Sequence, residues 1–225
     1  MKKAANYIFI FTLAILIAVY PFQSASAQVE GNQEGYQIGG YLGIWGGYTI
    51  NPDVSNGYYD DWHYHENDLN LDIDETPVFG AKVGYNHPQL RALELELEYS
   101  YLNPDITDYK TVVGDIKFNN FMFNIIAKIP RGIIHPYWGA GFGLSHHEMS
   151  AKAPEVIVGK DDTSFAWQLL TGVEIDLANH LVMDIGYRYF VTELKFINDI
   201  ESEDENYKDG DFTTSMITLG LKFFF

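Results

Sequence analysis

The chain has 225 residues, 16% of them aromatic and only 20% charged, and a net charge of −17 at pH 7, a combination unusual for a soluble acidic protein. That charge makes nucleic acid a poor partner, because binding it requires a basic surface to displace counterions. The absence of cysteine excludes disulfide staples, thiolate metal sites and cysteine nucleophiles, so burial in a core or in lipid has to hold the fold.

At the N-terminus, Lys2 and Lys3 precede an apolar run from Tyr7 to Tyr20, then Pro21 and Ala25-Ser26-Ala27. This is the charged, apolar and small-residue order of a secretory signal, and the run is short for a bilayer-spanning helix. Cleavage is expected after Ala27. Removing the first 27 residues leaves 198, residues 28–225, which are expected to form one barrel domain. Two lysines go with them, taking the net charge from −17 to −19.

The mature chain reads as eight alternating segments. In the first, about Gln37–Thr49, Ile38, Leu42, Ile44 and Tyr48 share a face, but Tyr41 and Trp45 on the other leave its orientation ambiguous. The second, about Pro77–Asn86, sets Phe79, Ala81, Val83 and Tyr85 against Gly80, Lys82 and Gly84. The third, Leu93–Tyr101, places Glu94, Glu96 and Glu98 opposite Leu93, Leu95, Leu97, Tyr99 and Tyr101. A helix would smear both sets around its axis, and three glutamates in a row do not suit a buried soluble strand.

The fourth, about Lys117–Lys128, sets Phe121, Phe123, Ile125 and Ala127 against Asn124 and Lys128. The fifth, Tyr137–Ser145, alternates Trp138, Ala140, Phe142 and Leu144 with Gly139, Gly141 and Gly143, which leave space where a narrow barrel is crowded. The sixth, Phe165–Asp176, alternates Phe165, Trp167, Leu169, Val173 and Ile175 with Gln168, Gly172, Glu174 and Asp176. The seventh, Leu181–Val191, alternates Leu181, Met183, Ile185, Tyr187 and Tyr189 with Asp184, Gly186 and Arg188. The eighth ends the chain, with Ile217, Leu219, Leu221, Phe223 and Phe225 on one face and Thr218, Gly220 and Lys222 on the other, Phe224 being the exception.

Short links, Asn86–Arg91, Ile129–His135 and Leu177–His180, follow segments two, four and six, while the remaining links are long and polar. Short turns at one end, long loops at the other and an even strand number predict an all-β fold: an eight-stranded antiparallel up-and-down transmembrane barrel with periplasmic turns and extracellular loops.

The signal sequence, the eight strands, the seventh strand's Asp184-Ile185-Gly186-Tyr187-Arg188-Tyr189 and the terminal Leu219-Gly220-Leu221-Lys222-Phe223-Phe224-Phe225 resemble the small outer-membrane barrels of the opacity-protein and OmpA-type family. The resemblance covers roughly the whole mature chain. It implies a barrel bathed in outer-membrane lipid and inserted by the outer-membrane assembly machinery. Leu219, Leu221, Phe223 and Phe225 would then serve as the assembly signal. It also implies a role as surface antigen, adhesin or structural barrel.

The inward charges are the first candidates for chemistry. Lys82, Lys128, Arg188 and Lys222 are expected to share the lumen with Glu94, Glu96, Glu98, Glu174 and Asp184, paired because isolated buried ions are costly. Symmetric turns put Lys82 beside Glu94 and Glu96, and the same construction puts Asp184 near Lys222. Such a network plugs the lumen; the alternative is a narrow gated channel of porin type.

The loops Asp53–Glu75, Asn103–Asp115, Glu148–Asp162 and Asn198–Asp211 are the expected recognition surface for an extracellular ligand, and Tyr58, Tyr59, Trp62 and Tyr64 its aromatic contacts. Asp53–Glu75 holds eight carboxylates and no Lys or Arg. Within it, Asp68–Asp74 superficially suggests a calcium loop, but Ile73 stands where glycine is needed and Phe79 where the bidentate glutamate belongs. Its apolar alternation instead suggests an extension of the second strand. His63 and His65, and His146-His147-Glu148, are weak metal candidates, and no metal or cofactor is assigned. His87, His135 and His180 fall one in each short turn. A lipid A-modifying hydrolase would need a His-x-Ser motif on the outer wall; His147-Glu148-Met149-Ser150 has the wrong spacing and Ser145-His146 the reverse order. The expectation is a monomeric, non-enzymatic barrel.

Overall fold

The computed structural model describes residues 37–60, 63–66, 72–108, 111–151, 161–196 and 208–225. The expected signal sequence lies outside them. Eight long strands make the wall: β1 (Gly39–Asp60), β2 (Pro77–Asn86), β3 (Leu93–Leu102), β4 (Thr111–Lys128), β5 (Ile134–Ala151), β6 (Asp162–Ala178), β7 (Leu181–Phe196) and β8 (Lys208–Phe224). Each pairs antiparallel with its neighbours in sequence, and β1 pairs with β8, so the sheet closes on itself. Closure satisfies every strand's ladder without an edge, the condition for a sheet to cross lipid.

The seam between β1 and β8 runs in register from Tyr41↔Phe224 to Ile50↔Ser215 and resumes at Asp53↔Thr213 after a bulge. Asn51 sits in that bulge with φ 48°, a left-handed conformation that asparagine tolerates. Three turns, at 87–92, 129–133 and 179–180, close the periplasmic end. Gly132, at φ 73°, supplies the left-handed residue of the middle one.

The turn end of the wall has the expected sidedness. Leu42, Ile44, Phe79, Trp138, Leu219, Leu221 and Phe223 are exposed, whereas Lys82, Glu94, Glu96, Glu98, Lys128, Glu174, Asp184, Arg188 and Lys222 are all buried inside. The ambiguity of the first segment resolves with Leu42 and Ile44 outward and Tyr41 and Trp45 in the lumen. Phe224 also turns inward, where it packs on Tyr41 with ring centroids 5.0 Å apart.

Towards the other end the pattern inverts. On β4, outward Phe121, Phe123 and Ile125 give way to outward Asp115 and Lys117, while Ile116 and Phe118 point in; on β8, outward Ile217 and Leu219 give way to outward Asp211 and Thr213, while Phe212 points in. Above that boundary the barrel is built like a soluble one, with apolar residues inside and polar residues outside. Outward tyrosines mark the crossover. Tyr99 Oη donates to Asn119 Oδ1 at 2.8 Å, Tyr48 Oη donates to the Glu75 carbonyl at 3.2 Å, and Tyr187 Oη lies 2.7 Å from Ser215 Oγ. Each ring is in the apolar belt and each hydroxyl reaches the polar wall, the arrangement of an interfacial aromatic girdle.

This inversion explains why the wall is longer than expected. β1 continues to Asp60, β4 starts at Thr111 and β5 reaches Ala151, so much of the expected loop sequence is wall standing above the lipid. The expected extension of the second strand is corrected: Asp72–Ile73 is a separate short strand that pairs with Asp105–Asp108, and β2 starts at Pro77, where a missing N–H is tolerated. The segment His63–Glu66 pairs back on Gly57–Asp60.

Candidate functional site

The lumen is the site, and it has two storeys. In the periplasmic storey Lys128, Glu94, Lys222 and Glu174 form a closed ring of alternating charge. Lys128 contacts Glu94, Glu94 Oε1 receives Lys222 Nζ at 2.7 Å, Lys222 reaches Glu174 Oε1 at 2.6 Å, and Glu174 Oε2 returns to Lys128 at 2.8 Å. These four side chains come from β4, β3, β8 and β6, so the ring ties strands around the whole circumference. All four are at most 2% exposed.

One layer higher, Lys82 Nζ donates to Asp184 Oδ2 at 2.6 Å and lies 3.4 Å from Glu96 Oε2. Tyr137 Oη donates to the other oxygen of Asp184 at 2.8 Å. Arg188 pairs with Glu98 and lies 4.0 Å over the ring of Trp45, a cation–π contact that caps the ionic storey with an aromatic face. Amides fill the gaps between carboxylates: Asn124 Nδ2 donates to Glu96 Oε1 at 2.9 Å, and Gln168 Nε2 donates to Asn124 Oδ1 at 2.8 Å.

Two of the expected pairings are corrected. Lys82 is direct neighbour to Glu98 in the ladder, with Glu96 opposite Gly84 and Glu94 opposite Asn86, so its ammonium reaches Glu96 while Glu94 is taken by Lys128 and Lys222. Asp184 meets Lys82 rather than Lys222. Lys222 is level with Val182, one inward position nearer the turns than Asp184, and it extends to Glu94 and Glu174 instead. The first correction comes from the register of the adjacent strands β2 and β3, and the second from a contact across the lumen, which depends on strand stagger.

The extracellular storey was not read from the sequence. Trp45, Val78, Leu102, Ile106, Ile116, Phe118, Met122, Ala166, Phe190, Leu194, Phe212 and Met216 form one buried apolar cluster, with Val54 and Ile73 packed against it. Phe118 and Phe212 stack across the lumen with centroids 4.5 Å apart. The available signal was the change in which face carries apolar residues beyond the tyrosine girdle, as at Ile116, Phe118 and Phe212.

Glycines make room for the inward aromatics. A Cβ on Gly84 would stand 2.3 Å from the Tyr41 ring, one on Gly80 would stand 2.4 Å from Trp45, and one on Gly186 would stand 2.6 Å from Tyr137 Oη. Tyr41 and Trp45 each lie against a glycine of the neighbouring strand β2, Tyr137 reaches past β6 to Gly186 of β7, and at these positions the barrel has no space for a β-carbon as well.

The loop candidates fare differently. Tyr58, Tyr59 and Tyr64 have described backbone, in the hairpin where Tyr59 opposes Tyr64; their side chains, and Trp62 altogether, lie outside the described residues. The side chains of His63 and His65 do too. Among the described residues no group of three His, Asp or Glu side chains is arranged to hold a metal ion. His147 and Ser145 point into the lumen and are buried, whereas His146 lies outside with Nδ1 3.0 Å from Thr163 Oγ1, so this stretch does not set serine and histidine side by side on the outer wall. His135 braces the periplasmic turns, with Nε2 2.9 Å from Asp176 Oδ2 and Nδ1 3.2 Å from the Ile129 carbonyl. In the first turn, His87 Nδ1 accepts from the backbone N–H of Gln89 and of Leu90.

Comparison with known proteins agrees with this architecture. A family model described as the outer membrane protein beta-barrel domain matches residues 12–225. Among solved structures, Neisserial surface protein A is similar over 83% of this chain and 97% of its own, at 16% identity and a TM-score of 0.51. OprG from Pseudomonas aeruginosa is similar over 86% of this chain and 100% of its own, at 17% identity and a TM-score of 0.52. Likeness at this level of identity speaks for the fold alone. An uncharacterized protein of Brucella abortus is 35% identical over 79 residues, a stretch that is 30% of this chain and 28% of that protein, so the chain spans under a third of the curated relative's length.

Proposed function

We propose that this chain, which belongs to the outer membrane protein beta-barrel family and resides in the outer membrane, is a structural or surface-interacting barrel, of adhesin or antigen type, whose lumen is plugged. The observation that carries the reading is the stacking of two closed storeys, the ionic ring of Lys128, Glu94, Lys222 and Glu174 below and the Phe118–Phe212 stack above. An eight-stranded barrel has an interior that side chains just fill, and here charged, amide and aromatic groups fill it without leaving any of the nine lumenal ions exposed. The partners of such a barrel are lipid around the wall, the assembly machinery that reads the terminal Leu219, Leu221, Phe223 and Phe225, and a ligand met by the acidic loops.

The same arrangement argues for a non-catalytic role. Nucleophilic attack on a lipid ester needs a serine and a base within hydrogen-bond reach on the lipid side, and the 145–150 stretch does not supply that pair.

Planar-bilayer recording separates the plugged barrel from the channel. The purified protein is expected to give no reproducible conductance, and a steady conductance that disappears when Lys82 and Arg188 are neutralised would support the narrow pore instead. The surface arm is tested on intact cells: replacing Tyr58, Tyr59, Trp62 and Tyr64 by serine, which leaves the paired backbone of β1 in place, is expected to abolish adhesion to host or cell-surface material while the barrel still reaches the membrane, and adhesion that survives the replacement would count against this surface.

A further inference from the structure

The nine lumenal ions do not balance. Among the described residues the buried set is Lys82, Lys128, Arg188 and Lys222 against Glu94, Glu96, Glu98, Glu174 and Asp184, one carboxylate too many. Matching each cation to its shortest contacts leaves one carboxylate over. The ring takes two ammoniums and two carboxylates, Lys82 is committed to Asp184 at 2.6 Å, and Arg188 is paired with Glu98. Glu96 is left with Lys82 at 3.4 Å and Lys222 at 3.7 Å, both already engaged at shorter distances elsewhere.

A second observation points to the same group. Tyr41 Oη lies 2.7 Å from Glu94 Oε1 and 2.6 Å from Glu96 Oε2. A phenol has one hydrogen to donate, and two ionised carboxylates each that close to one hydroxyl would leave one contact without a proton between its oxygens. The contradiction vanishes when Glu96 is the acid.

We propose that the lumen is a proton-binding site, in which Glu96 is held as a carboxylic acid at neutral pH, donates through Oε2 to Tyr41 Oη, and thereby directs the tyrosine's own hydrogen onto Glu94. The other oxygen of Glu96 accepts from Asn124, which suits either form of the acid. The surroundings are charged on every side. Lys82 of β2 and Lys222 of β8 lie 3.4 and 3.7 Å from Glu96, Lys128 of β4 holds Glu94, and Glu174 of β6 completes the ring. Asp184 and Arg188 of β7, with Glu98 of β3 and Tyr137 of β5, make the next layer. With the proton in place the buried set is neutral. The inference concerns the ionic storey only and holds whether or not the barrel conducts.

Infrared spectroscopy of the folded protein in detergent micelles at neutral pH reads the site directly, because exposed carboxyl groups are then ionised and only a buried acid gives a carboxylic C=O stretch. The wild-type protein is expected to show that band, Glu96→Gln to lose it, and Glu193→Gln, which removes an exposed carboxylate of β7 and leaves the lumenal charges unchanged, to keep it. Absence of the band from wild type, or its survival in Glu96→Gln, would overturn the proposal. Unfolding rates give an independent reading. Glutamine replaces a neutral acid almost isosterically, so Glu96→Gln should unfold within about twofold of wild type, whereas Glu94→Gln strips two lysines of a partner and should unfold about a hundredfold faster, the equivalent of ~3 kcal/mol. Equal acceleration in the two variants, or failure of Glu96→Gln to fold, would contradict the assignment.

Discussion

Removing the ammonium of Lys82 strands Asp184 and weakens the hold on Glu96, both of them buried. Breaking a buried pair by deleting one partner costs about 3–5 kcal/mol, because the other charge stays desolvated. Lys82→Met is therefore expected to lower the unfolding free energy by roughly that amount, while Lys117→Met, on the outer face of β4 above the girdle, should change it by about 0.5 kcal/mol or less. Equal losses in urea titrations of the folded barrels would show that Lys82 does not face the lumen. At this scale the identity of the lumenal ions was legible from alternation alone, since each falls on the face opposite a run of large apolar residues. Their partners were not: Lys82 and Asp184 are 102 positions apart and meet across the lumen, where stagger and side-chain reach decide the contact.

Strands β1 and β2 show how a wall element accepts an inward ring. Trp45 lies over Gly80, where a Cβ would come within 2.4 Å of the indole, while Gly46, the next residue along β1, faces outward, and a Cβ there would find its nearest neighbour, the Phe79 ring, at 3.6 Å. Gly80→Ala is thus expected to displace Trp45 from its contact with Arg188 at an overpacking cost of about 1–3 kcal/mol, and Gly46→Ala to be nearly neutral. Denaturant midpoints of the two variants check this, and a neutral Gly80→Ala would mean that the ring does not rest on that glycine. The existence and order of the strands were legible because each carries a run of outward apolar residues of spanning length. Their upper ends were not, because the facing rule reverses at the tyrosine girdle, where Phe118 and Phe212 put apolar rings on the face that carries ions lower down.

For the whole molecule, three short turns, an even strand number and a terminal aromatic strand were enough to anticipate a closed barrel, since lipid admits no open sheet edge. The apolar storey above the ionic one was hidden, because most of its members, such as Val78, Phe118, Met122 and Phe190, sit on the inward face of the strands, which lower down carries the ions. The function is the least legible part, because it belongs to surfaces above the membrane whose chemistry alternation does not constrain.

Everything rests on sidedness, and a chain without native cysteine allows it to be tested one position at a time. Single cysteines at 217, 218, 219 and 221 of β8, each carrying a nitroxide in lipid vesicles, report collisions with oxygen, which concentrates in the acyl region. The account predicts frequent collisions at 217, 219 and 221 and few at 218; a label at 218 as accessible to oxygen as its neighbours, or three outward labels that collide with a water-soluble relaxant instead, would contradict it.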